Sequence, residues 1–161
     1  MNEFQKKIIP REQLTELGEH RTEPLIWTNG CFDLIHAGHI RYLYDCKKLG
    51  GQLIVGVNSD GSVRRLKGPR RPLIPLPERM EHLASFFFVD YVVSFEEDTP
   101  LESIQMLRPD FLVKGGDYEV RDIVGYKEVI DSGGKVMTIP LTEGRSTSAL
   151  INKILERYDE D

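Results

Sequence analysis

The chain has 161 residues, 40% hydrophobic and 29% charged, with a formal net charge of -5. That length supports one hydrophobic core and not two, and the negative balance argues against a nucleic-acid binder, which would carry a basic surface. Two cysteines, Cys31 and Cys46, imply no disulfide framework, and without a signal-like apolar core or a run near the ~20 residues of a membrane span the expectation is a cytoplasmic protein with no membrane partner.

Residues 1–161 read as one domain, with a helical extension over 1–23 and a catalytic core over 24–158. In the extension, Pro10 suits a first helical turn, and Leu14 and Leu17 form an apolar stripe before Gly18. From Pro24 to Gly51, PLIWTNGCFDLIHAGHIRYLYDCKKLGG holds an apolar strand at Leu25–Trp27, a tight polar turn, and a helix from Ala37 on which Ile40, Leu43, Tyr44 and Lys47 share helical spacing. A strand feeding a helix through such a turn leaves helix N–H groups at the strand's carboxyl end, where an anion is favoured. His36 and His39, at i and i+3 around Gly38, can both lean toward that anion, and Gly38 lets it approach the backbone. A metal site is the weaker reading, because His20 and His82 offer no further ligands at suitable spacing.

Gln52–Asn58 reads as a second buried strand, whose Asn58-Ser59-Asp60-Gly61 turn either faces the same site or caps a helix through Ser59 or Asp60. The segment SVRRLKGPRRPLIPLP, residues 62–77, carries Arg64, Arg65, Lys67, Arg70 and Arg71 among four prolines, and predicts neither helix nor strand through its centre. Its basic groups form either a solvated loop or a lid over a triphosphate; the acidic total charge and the neighbouring anion site favour the lid, led by Lys67. A helix over 78–87 places Arg79 in its first turn, where a cation opposes the dipole and is expected to meet a ligand.

Asp90–Phe95 is a third strand, and Thr99-Pro100-Leu101-Glu102 reads as a capping box opening a helix that ends before Pro109. Asp110–Lys114 is a fourth strand, followed by Gly115-Gly116-Asp117-Tyr118, where two glycines let backbone approach a base or ribose and Asp117 is an acceptor. A helix from about Ile123 to Ser132 and a strand at Lys135–Ile139 follow. Gly144-Arg145-Ser146-Thr147-Ser148 then opens a last helix, with Leu150, Ile151, Ile154 and Leu155 facing inward, as a second phosphate-binding helix start. Strands alternating with helices predict a doubly wound, Rossmann-like α/β fold around a five-stranded parallel sheet, with the ligand at its switch point. The absence of G-x-G-x-x-G after the first strand argues against a dinucleotide-dependent oxidoreductase.

Gly30-Cys31-Phe32-Asp33 followed by His36-Ala37-Gly38-His39 resembles the signature of the cytidylyltransferase-like nucleotidyltransferases, whose HxGH element holds a nucleotide triphosphate. Over Leu25–Leu155, NGCFDLIHAGH, VNSD with RLKGPRRP, FEEDTP, RPDFLVKGGDY and GRSTS together resemble the D-glycero-D-manno-heptose 1-phosphate adenylyltransferases, which make nucleotide-activated heptose for the lipopolysaccharide inner core. The resemblance implies catalytic roles for His36, His39, Lys67 and Arg145. It also implies nucleotide or phosphate contacts by Thr28, Asn29, Gly30, Cys31, Phe32, Gly38, Lys114, Gly115, Asp117, Ser146 and Thr147. Asp33, Asn58, Asp60 and Arg79 are expected on the sugar-phosphate side, with no metal ligands among the side chains.

ATP and heptose 1-phosphate are the implied substrates, Mg²⁺ being carried on the nucleotide, and a homodimer is expected. In many bacteria the activity is fused to a sugar kinase, and the lack of a kinase half here implies a free-standing form fed by a separate heptose kinase. The chain departs from the family at Ser148, where a second Thr is usual. Guanylyl or cytidylyl transfer to a related sugar or polyol phosphate, and a non-catalytic nucleotide-binding module, are the competing readings.

Overall fold

The computed structural model describes residues 2–141, 144 and 146–158. In chain order the elements are α1 (Gln13–Glu19), β1 (Leu25–Gly30), α2 (Ala37–Lys47), β2 (Gln52–Asn58), α3 (Asp60–Lys67), α4 (Leu76–Ala84), β3 (Tyr91–Phe95), α5 (Leu101–Leu107), β4 (Phe111–Gly115), α6 (Tyr126–Asp131), β5 (Lys135–Ile139) and α7 (Thr147–Tyr158). The strands form one parallel sheet in the order β3-β2-β1-β4-β5. The chain winds outward from β1 to β3, then crosses back to β4, so the direction of winding reverses between β1 and β4. This is the doubly wound sheet expected from the sequence.

Strand residues alternate between two apolar layers. Ile26, Leu53, Val55, Val57, Val92 and Val113 pack on one side against Leu43 and Cys46 of α2 and Met80, Leu83 and Ala84 of α4. Leu25, Trp27, Ile54, Val93 and Leu112 pack on the other against Leu14, Ile104, Leu107 and Val129. Burial on both faces is why the strands read as continuous apolar runs. Gly56 makes room for the indole of Trp27: a Cβ there would lie 2.4 Å from the ring. Two carboxylates pin strand starts, Asp90 accepting from the Leu53 amide at 2.6 Å and Asp110 from the Leu25 amide at 2.8 Å.

Several sequence expectations are corrected. Residues 1–23 do not form one helix: a 3-10 turn spans Glu3–Lys7, and the Ile9 amide donates to the Val92 carbonyl at 3.0 Å, so this stretch lies along the β3 edge before α1 begins. Gly18 lies inside α1, where a Cβ would meet the Leu107 carbonyl oxygen at 2.4 Å; glycine there permits close packing on α5. The basic segment opens as helix through Lys67, because Ser59 accepts from the Ser62 amide at 3.1 Å and Val63 supplies a buried anchor, and its centre over 68–75 is neither helix nor strand, as expected. The Thr99–Glu102 capping box does not form; Pro100 is the cap, and Glu102 pairs instead with Arg11 at 2.7 Å. The helix expected over 123–132 is shorter, α6 at Tyr126–Asp131, and a separate 3-10 turn at Val120–Asp122 precedes it. On α7, Ile154 and Leu155 are exposed rather than inward-facing.

Candidate active site

The site begins where the sheet parts. The β1–β4 ladder pairs Ile26 with Phe111 and Trp27 with Leu112 and goes no further, although β1 continues to Gly30 and β4 to Gly115. Tyr42, on α2, bridges the opening: its hydroxyl donates to the Val113 carbonyl at 3.1 Å and lies 2.6 Å from the Thr28 hydroxyl. Burial pushes the Tyr42 phenol well above its ordinary range, so it stays a donor.

Beyond Gly30 the chain makes a strained turn. Phe32 has φ 47°, a left-handed conformation that costs a bulky residue on the order of 1–3 kcal/mol. It is held by packing: its ring would meet a Cβ on Gly30 at 3.2 Å and stands edge-on to His39 with centroids 5.4 Å apart. His36 is the N-cap of α2, its Nδ1 accepting from the Gly38 amide at 3.1 Å, and its ring stacks on His39 at 3.9 Å. Among the described residues, the buried Nδ1 of His39 has no hydrogen-bond partner. Burial first, and then the neighbouring His36, lower the His39 pKa to about 4, against a smaller opposing pull from the Leu34 carbonyl. The ring is therefore neutral at physiological pH.

A cavity of about 550 Å³ lies over this turn and spans both halves of the sheet. Its wall includes Asn29, Gly30, Cys31, Phe32, Asp33, His39, Asn58, Lys67, Lys114, Ser146 and Thr147 from the expected set. The cations converge. Burial raises the pKa of the Cys31 thiol, while the charges of Lys67, Arg79, Arg71 and Lys114 oppose that rise. Burial likewise holds the Lys114 ammonium below the usual lysine range; Cys31 pulls it back up and Lys67 adds to the lowering. A lysine whose charge is disfavoured by burial and by a neighbouring lysine marks a place for an anion.

The remaining expected residues lie behind the wall or beyond it. Thr28 and Gly38 are buried, Gly115 packs on Tyr42 and Leu141, and Asp117 is exposed away from the cavity. The space opened by Gly115 is thus filled by side chains, a Cβ there coming 2.7 Å from Leu141. Arg79 does not face a ligand: it is fully buried and donates to the Ile74 carbonyl at 2.9 Å, to the Cys31 carbonyl, and to Asp60 at 2.8 Å. Asp60 also accepts from the Leu76 amide at 3.0 Å, so both residues brace α4 against the β1 turn. Asp33, buried, accepts from the Leu73 and Ile74 amides at 2.8 and 2.9 Å and from Arg71. Burial opposes its ionisation, but those amides and Arg71 outweigh it and hold the carboxyl below its ordinary range.

Arg145 lies outside the described residues. Ser146 accepts from the Ala149 amide at 3.0 Å, and Thr147 donates to the Leu34 carbonyl at 3.4 Å, bringing the start of α7 to the cavity. The sequence reading missed Asp98, Thr99, Pro100, Tyr118 and Val124 at the wall. Their signal was position: each follows the carboxyl end of β3 or β4.

Among the described residues no three His, Cys, Asp or Glu side chains gather to hold a metal ion. Of the three wall carboxylates, Asp33 is taken by Arg71 and Asp98 by Arg65 at 2.7 Å, while Asp122 is in no ion pair among the described residues. No described helix is long and apolar enough to cross a membrane.

A cationic crevice at the switch point of a 3-2-1-4-5 parallel sheet, with a histidine-capped helix at its floor, defines a Rossmann-like domain of the nucleotidyltransferase type. The Cytidylyltransferase-like family model matches residues 27–153, and the chain belongs to that family. It is 51% identical over 162 residues to the bifunctional protein HldE of Syntrophotalea carbinolica, covering 98% of this chain and 33% of that protein. Against HldE of Pectobacterium carotovorum the identity is 51% over 150 residues, covering 91% and 31%. The chain thus spans about a third of the length of these curated relatives. The crystal structure of a lipopolysaccharide core biosynthesis protein from Thermoplasma volcanium is similar with TM-score 0.61 and 26% identity, over 74% of this chain and 97% of that one. A pantoate-beta-alanine ligase from Francisella tularensis, at 14% identity and TM-score 0.55, shares the fold.

Proposed function

We propose that this chain transfers adenylate from ATP to D-glycero-D-manno-heptose 1-phosphate, releasing pyrophosphate and forming ADP-heptose for the lipopolysaccharide inner core. The observation that carries the reading is the convergence of His39, Lys67 and Lys114 on one cavity over the His36-capped start of α2. The high identity to HldE proteins and the likeness to a lipopolysaccharide core biosynthesis protein support the choice of substrates.

An oxygen of the acceptor phosphate attacks the α-phosphorus of ATP, forming one P–O bond, while the bond to the bridging β-phosphate oxygen breaks and pyrophosphate leaves. The nucleophile is already an anion at neutral pH, so no general base is needed, and the task is alignment and charge neutralisation. His39, neutral and held between Phe32 and His36, is positioned to donate to the phosphoryl group in flight, with His36 beside it. Lys67, with Lys114 nearby, draws off charge as pyrophosphate departs. Ser146 and Thr147, with Arg145, are assigned to the nucleotide's phosphates. Mg²⁺ bound to the nucleotide would supply further neutralisation, held chiefly by phosphate oxygens and water.

The test is pyrophosphate release in the presence of Mg²⁺, crossing ATP, GTP and CTP with both anomers of heptose 1-phosphate and with glycerol 3-phosphate. Release with ATP and one heptose anomer alone is expected. Release with another pair moves the substrate, and none with any pair leaves a nucleotide-binding module.

A further inference from the structure

In this reaction two phosphate-bearing molecules must be held apart and yet in line. The cavity spans two halves: Lys114, Tyr118 and Ser146 lie at or beyond the carboxyl ends of β4 and β5, while Asn58, Lys67 and Arg71 lie at or beyond that of β2. The half beyond β4 and β5, with the start of α2 and Lys114, is assigned to the nucleotide and its phosphates, and Lys67 reaches toward it from the other side, where its charge acts on Lys114. The half beyond β2 is left for the acceptor, and it contains a cation unlike the lysines.

Arg71 is only 16% exposed, and its Nε is bound to Asp33, whose side chain is 0% exposed. Asp33 already accepts from two backbone amides, so it has strong donors without the arginine. The arrangement instead fixes the guanidinium plane. Its two terminal nitrogens make no hydrogen bond among the described residues, although Arg71 lines the cavity. A planar fork anchored along one edge presents the other to a pair of oxygens on one phosphorus, a match that a lysine point charge cannot make. Lys67 is exposed at the end of α3 and lacks such an anchor.

We propose that Arg71 is the acceptor-phosphate clamp, its terminal nitrogens gripping the phosphate of the sugar 1-phosphate while Asp33 sets their orientation. The inference rests on the proposed transfer reaction and adds the residue that selects a phosphorylated acceptor.

The test is Arg71→Lys, which keeps the charge beside Asp33 and removes the fork. With ATP saturating, the KM for heptose 1-phosphate is expected to rise roughly 10- to 100-fold, with kcat and the KM for ATP changed less than about threefold and the thermal midpoint preserved. A binding residue acting on the acceptor alone gives this split; a residue that merely props the loop moves both KM values together. An unchanged acceptor KM, or an equal rise for ATP, overturns the clamp. If the wild-type protein releases no pyrophosphate with any acceptor, the transfer reading fails instead. The clamp is then decided by titrating heptose 1-phosphate into the ATP-bound wild type and variant: weaker binding to Arg71→Lys supports it, and equal or absent binding overturns it.

Discussion

The hydroxyl of Tyr42 donates to the Val113 carbonyl at 3.1 Å, just past the last rung of the β1–β4 ladder. A helix side chain thus closes the polar account of the sheet at the point where its strands part to make a binding crevice. Without it, a buried carbonyl and the Thr28 hydroxyl would lose their partner. Tyr42→Phe should cost about 1–3 kcal/mol, the penalty for stranding buried polar groups, and should weaken ATP binding because both strand ends shift. Urea unfolding and ATP titration check this; full stability would mean the strands are held apart by other contacts.

On the proposed mechanism His39→Ala removes a donor to transition-state charge, and turnover should fall about 10²–10³-fold while the protein stays folded. Near-normal pyrophosphate release would remove His39 from the chemistry.

The lowered pKa of His39 also predicts an acid-side slope in stability. The folded value is about 4 and the ordinary value 6.5, so between these pH values the unfolded chain binds the extra proton. Stability should therefore rise with pH from about 4 to 6.5 and level off above. Urea midpoints measured across that range should flatten in His39→Gln, and an unchanged slope would assign the effect to other groups.

Lys67 sits exposed at the end of α3, in no described ion pair, so Lys67→Ala should leave stability within about 0.5 kcal/mol. Turnover should nonetheless drop. If rate and ATP affinity both hold, the side chain is a solvated surface group.

Arg79 was expected at the ligand and is instead wholly buried, with Asp60 and two carbonyls as its acceptors. Arg79→Ala should destabilise by about 2–5 kcal/mol, since it empties a buried volume and strands the Ile74 and Cys31 carbonyls. Denaturant unfolding decides between this brace and a ligand contact, which would alter affinity and spare the fold.

Gly56→Ala should cost about 1–3 kcal/mol through overpacking against Trp27. Trp27 is the single tryptophan, so its fluorescence reports the displaced ring directly as the unfolding midpoint falls.

The sequence by itself determined the sheet and the place of the site. Apolar runs such as Leu25–Trp27 and Gln52–Asn58, separated by helical periods, are compatible with parallel strands buried on both faces, and a ligand then belongs at their carboxyl ends. Asn29–Asp33 and His39 were legible as cavity-lining because local order, strand then turn then helix, puts them there, and Lys67 because it stands in a basic segment beside that turn. Tertiary structure alone decided which polar side chains face the cavity and which turn inward. Arg71 in the basic segment and Arg79 eight residues on in α4 are both arginines, yet Arg79 ends in the interior with Asp60 while Arg71 meets Asp33 at the wall. Their difference lies in partners far away in sequence, and no periodicity encodes those. Tyr42 shows the same limit: it reads as an ordinary helix aromatic until β1 and β4 diverge and leave a carbonyl that its hydroxyl reaches. Local pattern sets which backbone can hydrogen-bond to itself; the long-range meeting of unlike charges and unpaired groups sets what the remaining side chains do.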